Sequence, residues 1–324
     1  MIIDLHSDLL SFLIEQPGRK VDDPLSRCSQ PQMVEGGVKL QTLALFSKVG
    51  PHSVSQGEKQ AQAFKELLST PSFALAAREM RSTAYIHLIA ACESASVFAL
   101  EDEPLSASLA RLEALQKTVG LIFYISLTWD GENRFGGGVG ADVGLKSDGK
   151  VLLDFLSGRR IAVDLSHTSD RLASEIIEYS DKANLNLPFI ASHSNFRSVH
   201  PMPRNLPDSI AREIIRRKGL IGLNLFAPFI HKDDPKRVAD HVRYALALGA
   251  AEALCFGADF FSTQDFAILT QKYRVTSFFF DEFANASCYP YLLGLLVKEC
   301  ALSDKTAQDI AHGNALRFLE DFII

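Results

Sequence analysis

No long block of Lys and Arg stands in this chain, and 33 basic against 39 acidic residues leave a net charge of −6. A basic face for nucleic acid or for an anionic membrane surface is therefore not expected. No apolar run reaches the roughly 18 residues that a membrane span needs. No basic start, long apolar stretch and small-residue cleavage site mark a secretory leader. The five cysteines (Cys28, Cys92, Cys255, Cys288 and Cys300) are odd in number and scattered, and none falls in a Cys-x-x-Cys spacing. That argues against a thiolate zinc site and predicts reduced, mostly buried thiols in a cytoplasmic protein. No repeat, low-complexity tract or Pro/Ser linker divides the chain, so one domain over residues 1–324 is expected. The stretch Gly136-Gly137-Gly138-Val139-Gly140 lacks the Lys-Ser/Thr of a phosphate loop and opens no helix; it reads as a flexible active-site loop.

What the chain does contain is eight short apolar runs: Ile2–Leu5, Val38–Phe46, Tyr85–Ala91, Leu121–Leu127, Ile161–Leu165, Pro188–Ala191, Leu220–Leu225 and Ala253–Phe256. Most are continuous rather than alternating, as parallel strands covered on both faces must be. Between them lie segments with helical spacing. Gly57–Ser69 puts Ala61, Phe64, Leu67 and Leu68 on one stripe, and Ala107–Thr118 does the same with Leu109, Leu112 and Leu115. Ser169–Ser180 opens on a capping Ser, Pro207–Lys218 and Asp234–Leu248 start near a Pro and stop before a Gly, and Ser303–Phe318 closes the chain with an interruption near Gly313. Strand and helix alternating eight times predicts a (β/α)8 TIM barrel, with an open doubly wound sheet as the other arrangement of the same elements.

A barrel of this kind carries its active site at the carboxyl ends of its strands. Those ends hold His6-Ser7-Asp8, Cys92-Glu93, Thr128-Trp129-Asp130, Asp164-Leu165-Ser166-His167, Ser192-His193-Ser194 and Gly257-Ala258-Asp259. A His and a carboxylate two residues apart at the end of an extended segment point the same way, so His6 and Asp8 can share one cation. Imidazole and carboxylate suit zinc without thiolate. Five ligands and a further Asp suffice for two metals that share a carboxylate. Asp164 reads as structural, orienting a neighbour; His87 reads as core; His52, His200, His231, His241 and His312 fall outside the strand ends.

Taken together, Asp4-Leu5-His6-Ser7-Asp8, the Glu93 strand end, Leu127-Thr128-Trp129 with Asn133, Asp164-Leu165-Ser166-His167, Ser192-His193-Ser194, Arg204-Asn205-Leu206-Pro207-Asp208, Gly257-Ala258-Asp259-Phe260 and Gly313-Asn314 resemble the membrane (renal) dipeptidase family of zinc peptidases, barrels of the amidohydrolase type. The order runs from residue 4 to residue 314 and so covers essentially the whole chain.

The resemblance implies a metal-dependent dipeptidase with two zinc ions per chain and a hydroxide bridging them. His6 and Asp8 would hold one zinc, His167 and His193 the other, and Glu93 would bridge both. Asp259 would transfer the proton. Arg204 would grip the substrate carboxylate, a task that suits a planar guanidinium fork, while Trp129 would belong to the substrate site. It also implies tolerance of a D-residue at the C-terminal position, a homodimer, and a cytoplasmic relative without membrane or nucleic-acid partners. Apart from the resemblance, Asn224 and Phe226 at the end of the seventh apolar run read either as lining of the side-chain pocket or as barrel-rim packing.

Two positions depart from the family pattern. Trp129 stands where the family's Leu-Thr-His motif has His, and an indole N–H donates a hydrogen bond but cannot become a cation. Asp259-Phe260-Phe261-Ser262 replaces Asp-Phe-Asp-Gly, and the lost second Asp reads as structural. Two other readings of the same residues are a related hydrolase acting on an N-acyl amino acid or a cyclic amide, and a non-catalytic barrel that binds a metabolite.

Overall fold

Each of the eight apolar runs becomes a strand, and all eight are parallel. In the computed structural model, which describes residues 1–77, 85–264 and 277–324, the strands are β1 (Ile2–Ser7), β2 (Val38–Phe46), β3 (Phe73–Leu75), β4 (Ile86–Glu93), β5 (Ile122–Ser126), β6 (Glu132–Asn133), β7 (Gly136–Gly137), β8 (Ala162–Asp164), β9 (Phe189–Ala191), β10 (Leu220–Leu223) and β11 (Leu254–Phe256). The sheet runs β2-β1-β11-β10-β9-β8-β5-β4 and closes where β2 pairs with β4, from Leu40 opposite His87 to Phe46 opposite Glu93. That closure makes the (β/α)8 barrel. β3 adds a short outer strand on β4, and β6 with β7 forms a small antiparallel hairpin after β5.

The helices lie where the periodicity places them. Ser53–Leu68 buries Ala61, Phe64 and Leu67, and Leu105–Val119 buries Leu112 and Leu115. Asp170–Lys182 is capped by Ser169, whose hydroxyl accepts from Leu172 N at 3.0 Å. The closing segment is not broken at Gly313. It runs on from Asp304 to Ile323 and absorbs two wide π turns, Asp309–Gly313 and Leu319–Ile323.

Two apolar layers result. The larger one packs strands against helices. The smaller fills the barrel interior with Ile3, Leu5, Leu40, Ile89, Phe123 and Ile190, plus Phe318, Leu319 and Ile323 from the C-terminal segment. Cys28, Cys92, Cys255 and Cys288 are buried free thiols and Cys300 is half-buried. Among the described residues no helix is long and apolar enough to cross a membrane.

Candidate metal centre

The strand ends deliver six acidic or imidazole side chains to one mouth of the barrel. His6 lies within β1, where the ladder with β2 loses its register between Asp4 and Ser7. Asp8 has left the strand and stands at the N-cap position of the helix Leu9–Glu15 without a side-chain capping hydrogen bond. The two therefore converge through a strand-to-helix turn, and the alternation argued from the sequence is not the cause. Glu93 ends β4, His193 follows β9, and His167 and Asp259 sit just beyond β8 and β11 with φ of +67° and +65°. A left-handed backbone costs a non-glycine residue about 1–3 kcal/mol and persists only where the surroundings enforce it. Here it turns both side chains toward the mouth.

The distances are short. His6 Nε2 lies 3.5 Å from Glu93 Oε2, 3.7 Å from Asp259 Oδ1 and 4.0 Å from Asp8 Oδ2. His167 Nε2 lies 3.0 Å from Glu93 Oε1, and His193 Nε2 lies 3.7 Å from the same oxygen. Three overlapping triplets, His6/Asp8/Glu93, Glu93/His167/His193 and His6/His193/Asp259, each bring one ligand atom per residue to within 4.8 Å of the others. Glu93 belongs to two of them.

The hydrogen bonds behind the rings decide which nitrogen faces the mouth. Tyr124 OH donates to the Leu5 carbonyl, so its contact of 2.6 Å with His6 Nδ1 is an N–H donated to the phenol oxygen. Ser192 Oγ donates to Asp164 Oδ2 at 2.8 Å, so His193 Nδ1–H donates to Ser192 at 2.7 Å. Asp130 can only accept, so His167 Nδ1–H donates to it at 3.1 Å. With every Nδ1 proton committed, each ring turns Nε2 toward the carboxylates and, in its neutral form, aims a lone pair there, the arrangement by which second partners prepare imidazole for a metal. Asp164 thus orients His193 at one remove, through Ser192.

Charge points the same way. Burial pushes the carboxyls of Asp8 and Asp259 up, and the charge on Glu93 adds to both shifts. Glu93 moves down, because His6 and His167 outweigh the penalty of its own burial. Burial opposes a charge on His6, but Glu93, Asp8 and Asp259 override it and raise the ring to about 10. His6 Nε2 and Asp8 Oδ1 are buried without a hydrogen-bond partner. Buried carboxylates need compensating charge. Oxygen and imidazole donors of this kind fit zinc or a similar borderline dication.

Around this cluster lies a cavity of about 60 Å³. Its polar side is Asp8, Glu93, Asp130, His167 and Asp259; its apolar side is Phe46, Trp129, Phe226, Phe229 and Phe261. Trp129 meets the edge of Phe46 at 5.1 Å between ring centres. Phe261 occupies the position of the family's second Asp, and it lines the cavity rather than serving only the scaffold.

Asn224 and Arg204 stand behind this lining. Asn224 is fully buried; its Nδ2 donates to Asp259 Oδ2 at 2.9 Å and to the His193 carbonyl at 3.2 Å. With its oxygen accepting from Phe226 N, its amide supports Asp259 and leaves no face for the cavity. Arg204 donates to Ser194 Oγ at 2.8 Å and to the His193 carbonyl at 3.1 Å, with its guanidinium 5.7 Å from the Phe229 ring centre.

The Gly-rich stretch is not the flexible loop that its composition suggests. Gly138 N donates to Gly131 O, Val139 N to His167 O and Gly140 N to Asp130 O, all within 2.9 Å. It clamps the segments that carry Asp130 and His167. Sequence reasoning also passed over Tyr124 and Ser192 as ring anchors and gave Asp130 no role. Asp130 sat in plain view at a strand end, and a tyrosine inside a buried strand was the signal for Tyr124.

A family model described as membrane dipeptidase (peptidase family M19) matches residues 1–322. Among curated proteins, dipeptidase verJ of Clonostachys rogersoniana is 28% identical over 203 residues, covering 61% of this chain and 47% of that protein. An uncharacterised protein in the PQQ-III 3′ region of Acinetobacter calcoaceticus is 27% identical over 157 residues, covering 41% of this chain and 48% of the other. The chain spans about half the length of the curated relatives it matches. Among solved structures, a metallo peptidase from Rhodobacter sphaeroides liganded with a phosphinate mimic of the dipeptide L-Ala-D-Ala superposes with a TM-score of 0.82 at 19% identity over 99% of both chains. The probable dipeptidase PvdM from Pseudomonas aeruginosa superposes with a TM-score of 0.77 at 15% identity over 98% of this chain and 94% of that one. At those identities the structural likeness speaks for the fold, whereas the family model covers nearly every residue. The chain belongs to the membrane dipeptidase family, peptidase family M19.

Proposed function

We propose that this chain hydrolyses the peptide bond of dipeptides with two bound zinc ions. The observation that carries the reading is the convergence of three imidazoles, each locked with Nε2 forward, on the carboxylates of Asp8, Glu93 and Asp259. His6 and Asp8 would hold one ion, His167 and His193 the second, and Glu93 both. Bound there, the ions would supply an acidified bridging water at neutral pH and a Lewis acid for the scissile carbonyl.

The remaining steps belong to the protein's own groups. Asp259 Oδ1 faces the centre beside His6, and Oδ2 is held by Asn224. In that pose Asp259 takes the proton of the attacking water and returns it to the leaving amine. Asn224 acts through Asp259 as a positioning residue. Arg204 keeps Nε free of any hydrogen bond. From behind Phe229 it would engage the substrate's C-terminal carboxylate and so limit substrates to two residues. Tolerance of a D-residue at that end is part of the proposal and accords with the ligand of the Rhodobacter sphaeroides neighbour. A homodimer is the accompanying expectation, checked by light scattering.

The test is metal analysis of the purified protein together with a panel of L,L- and L,D-dipeptides and matching tripeptides. Close to two zinc per chain, with hydrolysis confined to dipeptides, is expected. Absence of turnover in the zinc-loaded protein would overturn the reading.

A further inference from the structure

The wall opposite the carboxylates is aromatic and deeply backed. Phe226 packs on Phe229 at 4.7 Å and on Phe261 at 5.8 Å between ring centres. A second layer supports it: Phe278 lies 5.6 Å from Phe226, and Phe279 lies 5.3 Å from Phe261. These rings are buried, so the wall is preformed.

The facing wall is held just as firmly. The ladder of β2 ends at Phe46, and the fully buried Gln60 continues it. Gln60 Nε2 donates to the Phe46 carbonyl at 2.6 Å, and Phe46 N donates to Gln60 Oε1 at 2.8 Å. Phe46 is thereby fixed edge-on to Trp129, whose ring lies 5.9 Å from that of His167. Two aromatic walls thus flank the metal centre. Among the described residues, the charged groups of the cavity's lining come only from the side of the metal cluster. The neighbouring chamber, of about 320 Å³, shares Asp8, Phe46 and Phe261 but is mixed, with Ser47, Lys48, His52 and Gln56 beside Phe12, Ile14 and Val49.

From this partition we infer that the site selects dipeptides in which one residue carries a bulky apolar or aromatic side chain, seated between Phe46/Trp129 and Phe226/Phe229/Phe261. An apolar side chain gains by leaving water there. A polar one of the same shape loses its hydration and, among the described residues, finds on the two walls no side-chain partner beyond the Trp129 indole N–H. The inference rests on the dipeptidase reading and narrows its substrate class.

Trp129 is the sole tryptophan of the chain and lines the cavity, so its emission reports occupancy without turnover. The probes are non-hydrolysable phosphinate mimics of Ala-Leu and Ala-Asn, and of Leu-Ala and Asn-Ala, titrated into the zinc-loaded protein. In at least one pair the Leu form is expected to bind about tenfold tighter or more. Phe261→Asn should cut that preference to within about threefold, and Phe261→Leu, which restores an apolar wall and guards against a folding defect, should keep it. Equal binding within both pairs, or a preference that survives Phe261→Asn, overturns the inference while leaving the dipeptidase reading intact. Failure of all four probes to bind, with no dipeptide hydrolysed, overturns both.

Discussion

His167 and His193 bring their Nε2 atoms to 2.9 Å of each other, while their Nδ1 atoms are tied to separate acceptors, Asp130 and Ser192. Two rings held in this way present two lone pairs to the same point. A ring free to turn would rotate one nitrogen away or change tautomer. The arrangement is kept because each Nδ1–H is spent on its own acceptor oxygen, Asp130 for His167 and Ser192 for His193.

Ser192→Ala tests that claim. It removes the acceptor for the His193 Nδ1–H and one donor to Asp164 Oδ2. Zinc affinity should fall about 10–100-fold, as is usual when the partner behind a ligand is lost. Stability should fall by only about 1–2 kcal/mol. A competitive chelator titration reads the first and chemical denaturation the second. Unchanged zinc affinity would remove Ser192 from this role.

Asp259→Asn separates proton transfer from metal binding. The replacement amide can still accept from Asn224, so the local geometry should survive. Zinc content should stay at the wild-type level while kcat falls about 10²–10⁴-fold, the usual contribution of a positioned acid–base group. A variant that keeps wild-type kcat refutes the proton-transfer assignment. Parallel loss of zinc would show instead that Asp259 is chiefly a ligand.

Gly138→Ala should be severely destabilising. A Cβ there would stand 1.6 Å from the Trp129 carbonyl oxygen and 2.6 Å from the Asp130 carbonyl carbon, both backbone atoms. Neither can step aside without unseating the hydrogen bonds to Asp130 and His167. A loss of about 3 kcal/mol or more is expected in denaturant titration, accompanied by weaker zinc binding. Wild-type stability would show that the clamp is looser than these contacts imply.

The barrel was legible because parallel strands announce themselves as apolar runs. Val38–Phe46 matches β2 to the residue, and the separate apolar runs Tyr85–Ala91, Ile161–Leu165, Pro188–Ala191 and Ala253–Phe256 lead to the strand ends near which Glu93, His167, His193 and Asp259 stand. What was not legible depends on partners far away in the chain. Tyr124 meets His6 across 118 residues, and Gln60 reaches Phe46 from another element. Strand β3, three residues on an outer edge, has too little apolar sequence to stand out. Glycine content suggested mobility for 136–140, yet small residues were needed there for close backbone approach. Phe261 misled in the opposite sense: the loss of an Asp hid the gain of a cavity wall.

His241 should make the protein acid-sensitive without touching the metal centre. It is fully buried and neutral by construction: Phe196 N donates to Nδ1 at 3.2 Å, and Nε2–H donates to the Ile230 carbonyl. A second proton at Nδ1 would point at an N–H. Burial is the main cause that pulls the ring down to about 4; His200 and Arg237 assist, and the Ile230 carbonyl and Asp240 oppose. In the unfolded chain the ring titrates near 6.5, so between the two values the unfolded state binds the extra proton and the fold does not. The contribution is whole above 6.5, is lost progressively as pH falls, and is gone below about 4, a swing of about 3 kcal/mol. Denaturant titrations of the wild type and His241→Gln at pH 7.5, 6, 5 and 4 measure it, since the Gln amide can keep one acceptor and one donor but does not titrate. The gap between the two proteins should close or invert toward acid by roughly that amount. Parallel curves over the whole range would mean that His241 takes up its proton without cost in the folded state.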